Sequence, residues 1–99
     1  MSRGPDAATL LERRLRIAAE AAGVAIAITV SDWTHWSSAT FTGARHRLTL
    51  ASADAGFDAW LAGLGDADLP LRGHLVADIV VTARHAAAAE VEVLTVEER

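Results

Sequence analysis

The chain has no cysteine among its 99 residues. Disulfides, thiolate metal sites and cysteine catalysis are therefore excluded. It also has no lysine: all nine basic residues are arginine. With the many alanines, this bias fits GC-rich coding and a bacterial origin better than it fits a mechanism. No apolar run approaches the length of a membrane span. The N-terminus carries no apolar stretch behind its arginine, so no signal peptide is expected and the cytoplasm is the expected compartment. Positive charge is not in excess. A net charge of −4 gives no general attraction to nucleic acid or an anionic membrane. Enzyme signatures are missing too. The seven glycines are scattered, with no phosphate-binding loop, and no Gly-x-Ser-x-Gly elbow occurs. Asp54, Asp58, Asp66 and Asp68 fall at helix starts and in a loop, where helix dipoles and solvation account for them. There is no internal repeat; Ala86 to Ala89 is only a short alanine run.

What is present is a largely apolar chain, with 52% hydrophobic residues, long enough to bury a core as one domain over residues 1–99. Residues 1–4 are expected to be a frayed N-terminus. The most informative stretch runs from Val24 to Ala51. Val24, Ile26, Ile28 and Val30 alternate with Ala25, Ala27, Thr29 and Ser31, the period of a strand with one buried face. A turn is expected over Asp32–Trp36, centred on Thr34 and His35, followed by a strand from Ser37 to Thr42. Gly43-Ala44 then reads as a two-residue hairpin loop, and Arg45 to Leu50 as the next strand. Both turns place Val30, Ala39 and Leu48 in one row and Ile28, Phe41 and His46 in the next. A one-residue slip would send these residues to the opposite face. The expectation is a three-strand meander whose outer face is hydroxyl-rich and partly basic, with Trp33 and Trp36 at one end.

Two helices flank the meander. The first starts at Pro5 or Asp6 and runs to about Ala22, with Gly23 closing it. Leu11, Leu15, Ala18 and Ala22 form its apolar stripe. The second runs from about Ala53 to Leu64, capped by Ser52 or Asp54. Phe57, Trp60, Leu61 and Leu64 stand at helical spacing, and Gly56 and Gly63 weaken it. A long strand over Leu71–Arg84 and a last strand over Glu90–Val96 make a second hairpin, with Val81 set opposite Val93. This hairpin is apolar on both faces. Leu75, Ile79, Val81, Val91 and Val93 lie on one face; Val76, Val80, Leu94 and Val96 lie on the other. Such a strand is usually covered on both sides. A helix on each side, a partner chain on the second face, or a bulge near Leu94 would each achieve this.

The fold class that follows is α+β: two layers in the order α-β-β-β-α-β-β, with a mainly antiparallel five-stranded sheet and two helices. The first five elements have the order of a double-stranded-RNA-binding domain, but the basic helix start and phosphate-binding lysines of that family are missing. Four features compete as sites. Trp33, His35 and Trp36, joined by Arg47 on the outer face, could receive a planar or anionic ligand. The competing reading is a tryptophan pair that pins a hairpin end. His46, beside Phe41 on the core face, reads as a hydrogen-bonded core histidine rather than a base or metal ligand. His74 and Asp78 stand roughly 13 Å apart along a strand, too far to share a metal. Arg45, Arg47, Arg72 and Arg84 could group around a phosphate, or simply guard a wet sheet face. RNA-binding sheets carry mid-strand aromatics, which are absent here, so nucleic acid is not the expected partner. The leading expectation is a small non-catalytic protein-interaction module, homodimeric through Val76, Val80, Leu94 and Val96. It needs no cofactor and no metal. The alternative is a small-molecule site for an anionic or aromatic ligand, catalytic or not, at Trp33, His35, Trp36 and Arg47.

Overall fold

The computed structural model describes residues 6–98. The expected frayed start, and Pro5 as a helix opener, lie outside the described residues. Helix α1 (Ala7–Ala21) begins where Asp6 accepts a hydrogen bond from the Thr9 amide at 2.9 Å. This is the side-chain cap that satisfies one of the free amides of a helix start. The helix ends at Gly23, whose φ of 75° suits a residue without a Cβ. The Gly23 amide donates to the Glu20 carbonyl and the Val24 amide to the Ala19 carbonyl, at 2.9 and 2.8 Å. That is the paired closure of a Schellman stop. Leu11, Leu15 and Ala19 are buried, so the covered stripe is centred on Ala19 rather than on Ala18 and Ala22.

Strands β1 (Ala27–Ser37) and β2 (Thr42–Ala51) form one long antiparallel hairpin, not a three-strand meander. The expected turn over Asp32–Trp36 is continuous strand, and so is the expected loop at Gly43-Ala44. The chain reverses instead at residues 38–41. There the Ser38 amide donates to the Phe41 carbonyl at 2.7 Å, and the Ser38 hydroxyl oxygen accepts from the Phe41 amide at 3.1 Å. Gly43 has no positive φ. It is glycine because a Cβ there would collide with the carbonyl oxygen of Thr95 on the neighbouring strand. A close backbone approach, not a turn, dictates the residue.

Helix α2 (Phe57–Ala62) is one and a half turns, followed by a 3₁₀ turn over Leu64–Asp66. It is shorter than the apolar spacing suggests, because Gly56 and Gly63 bound it. Ser52 and Asp54 do not cap it. The Ser52 hydroxyl donates to the Ala25 carbonyl at 2.7 Å, and an Asp54 carboxylate oxygen accepts from the Ala25 amide at 2.6 Å. They tie the segment before α2 to the segment after α1.

Strands β3 (His74–His85) and β4 (Ala88–Glu97) complete a four-stranded sheet in the order β1-β2-β4-β3, antiparallel throughout. Four strands therefore replace the five expected. In the second hairpin Val81 stands opposite Val91 and Ile79 opposite Val93, a two-residue offset from the expected register that keeps Ile79 and Val81 on the core face. Both helices pack on one side of the sheet. Leu11, Leu15, Phe57 and Leu61 join Leu48, Leu50, Ile79, Val91 and Val93 in a single buried cluster. Arg84 pairs with Asp58 of α2 and lies 5.4 Å over the Phe57 ring, so it too faces the helices.

Candidate functional site

With both helices on one side, the other face of the sheet is open among the described residues. Opposed residues of an antiparallel pair share a face, so the register maps it row by row. Trp36, Gly43, Val96 and Leu75 make one row. Thr34, Arg45, Leu94 and Asp78 make the next, and Asp32, Arg47, Glu92 and Val80 the third. Val30 and Thr49 lie beyond them. Leu75 is 55% exposed, Val30 47% and Val80 46%. Large aliphatic side chains left this open on one continuous face, beside half-buried Trp36, Leu94 and Val96, form the patch that usually marks an interface.

Three bulges set the membership of this face. The β1–β2 register shifts between Ile28 and Val30, so Val30 turns outward although Ile28 faces the core. The β3–β4 register shifts between Val76 and Asp78 and again between Val81 and Ala83. The first shift corrects an expectation. Val76 stands opposite Thr95 and packs against the core cluster, so it does not belong with Val80, Leu94 and Val96. Leu75 takes its place on the open face. A bulge adds one unpaired residue and so swaps the faces of everything before it. Alternation in the sequence gives no sign of that extra residue, which is why Leu75 and Val30 read as core.

Charge on the open face is banded by strand. Arg45 and Arg47 on β2 both pair with Glu92 on β4 at 3.7 Å, and Arg47 also stands opposite Asp32 on β1. His85 and Glu90 meet at 2.9 Å near the far end. Pairs this exposed add little stability; they arrange charge. Trp36 lies against Gly43, with its indole nitrogen buried and without an acceptor among the described residues. An aromatic ring laid across a strand glycine restores packing that the glycine lacks.

The four ligand candidates are not brought together. Trp33 stands opposite His46 and His35 opposite Ala44, on the helix side of β1. Trp36 and Arg47 lie on the open side, two rows apart. Trp33 and Trp36 therefore point to opposite faces of one strand. His46 is buried and hydrogen-bonds through Nε2 to the Thr95 hydroxyl at 2.9 Å, which in turn reaches the Ala44 carbonyl at 3.4 Å. Burial holds the imidazole below its ordinary pKa. Nearby His74 acts in the same direction, while Asp6 and Glu12 oppose it. Phe41 is in the turn and exposed, away from the core position expected for it. Among the described residues no cluster of three or more histidine or acidic side chains could hold a metal ion, and no helix is long and apolar enough to cross a membrane. The chain matches no protein-family model, no curated protein and no solved structure.

Proposed function

We propose that this protein is a non-catalytic self-association module whose open sheet face packs against the same face of a second copy. The observation that carries the reading is the one-sided placement of both helices, which leaves Trp36, Leu75, Val80, Leu94 and Val96 on a face with no cover among the described residues. Two sheets pack face to face with their strands nearly aligned. A two-fold axis running along the strands between β2 and β4 would set β2 of each copy over β4 of the other. Arg47 then meets Glu92 of the second copy, twice, and Trp36 on β1 falls over Leu75 on β3. Arg47 and Glu92 are thus charge-matched across the axis, and the row of Trp36 and Leu75 makes an apolar end.

The size is adequate. Four strands at about 4.8 Å spacing and seven residues at about 3.3 Å give a flat footprint of roughly 450 Å² per copy. A pair would remove on the order of 1,000 Å² from water, within the range of small specific interfaces.

Light scattering coupled to size-exclusion chromatography tests the reading. Leu94→Arg is expected to lower the solution mass of a chain that remains folded. Arg47→Glu and Glu92→Arg should each weaken association, and the double reversal should restore it. A mass that Leu94→Arg and Val80→Glu both leave unchanged would remove the open face as the interface.

A further inference from the structure

The two edges of the sheet are treated differently. β3 carries two bulges and charged Asp78 and Arg84, the usual devices that stop a strand edge from pairing. β1 has no bulge beyond Thr29. From Val30 to Ser37 its register is unbroken, it contains no proline and a single charge, Asp32, and seven of these eight residues are exposed. Trp33 is 51% exposed here. An edge of that length and composition is a template for another strand.

We propose that β1 is a second self-association surface, pairing antiparallel with β1 of another copy about a two-fold axis at Thr34. The turn geometry selects this register. Ser38 and Phe41 are a hydrogen-bonded pair, and such pairs alternate with non-bonded ones along an antiparallel ladder. Thr34 and Asp32 therefore turn their amides toward β2, while Trp33 and His35 turn theirs outward. An axis at Thr34 places Trp33 opposite His35 of the second copy, and the reverse. The Trp33 and His35 amides of both copies find carbonyls, and an indole meets an imidazole at each of two positions on the helix side. Asp32 falls opposite Trp36 of the second copy, so the two carboxylates stay roughly 13 Å apart along the strand. Neither registration nor charge opposes the pair.

This surface is separate from the open face, and either can fail without the other. His35→Pro removes an outward amide and no bond to β2, as proline on an edge strand does. In a Leu94→Arg background, where the open face is disabled, the chain should remain a pair at high concentration, and adding His35→Pro should halve its mass. In the unaltered chain, the Trp33 and His35 amides should exchange with solvent about tenfold more slowly in concentrated than in dilute solution, with the turn amide of Ala39 unchanged. Exchange at Trp33 and His35 that is fast and independent of concentration overturns the proposal, whether or not the proline variant folds. A mass unaffected by His35→Pro in a folded chain overturns it as well.

Discussion

Gly43 shows how much one residue can decide. It sits at the crossing of β2 with β4, under the Trp36 indole, with the Thr95 carbonyl where a side chain would begin. Gly43→Ala is expected to cost about 2 kcal/mol or more, because a packed backbone must move to admit a methyl group. The measurement is a urea midpoint, and the loss should appear without a large change in slope. His46 decides a different property. Its imidazole takes up a proton less readily in the folded chain than in the unfolded one, because burial penalises the charged form. The unfolded state therefore binds more protons below about pH 6.5, and stability present above that pH falls as the solution is acidified through it. Midpoints measured between about pH 7.5 and pH 5 should decline in the native chain, and His46→Gln should flatten the decline. An equal slope in both would mean that His46 is not the group responsible.

At the scale of elements, what was legible in the sequence was whatever depends on period and on caps. Asp6 and Gly23 mark both ends of α1, and the alternation of His46, Leu48 and Leu50 against Arg45, Arg47 and Thr49 reports the faces of β2 correctly. The interior of the first hairpin was not legible. Its turn is built by Ser38 through a side-chain contact to Phe41, a weak signal, while Gly43 mimics a turn for a reason that lies on β4, some fifty residues away. The bulges were hidden for the same kind of reason. An unpaired residue is defined by its partner strand, and no local pattern announces it. For the candidate site, Val80, Leu94 and Val96 followed from alternation, whereas Leu75 and Val30 required the bulges. The bulge at Ala77 permits a direct test. Removing Ala77 leaves Val76 and Asp78 on the faces they already occupy, so the fold should survive with one bulge fewer in β3. Its melting temperature should stay within a few degrees of the parent, and light scattering should report larger species, because the half of the edge before Val81 has lost its bulge.

At the scale of the whole molecule, the sheet divides labour between its sides and between its edges. One side carries α1, α2 and the core they close, with only the β1 margin around Trp33 left open. The other is open, with its charges matched across β2 and β4 and aliphatic residues on β4 and both edge strands. The mass measurements on Leu94→Arg and His35→Pro separate a face contact from an edge contact, and together they define how many surfaces a single copy offers. The bulges of β3 then acquire a meaning beyond the shape of one chain. If two copies join through β1, the combined sheet has eight strands, and both of its outer margins are β3. Each margin is already kinked against further addition. Growth by strand addition within one sheet would therefore end at its first step, because the same edge that shapes the monomer refuses a further strand.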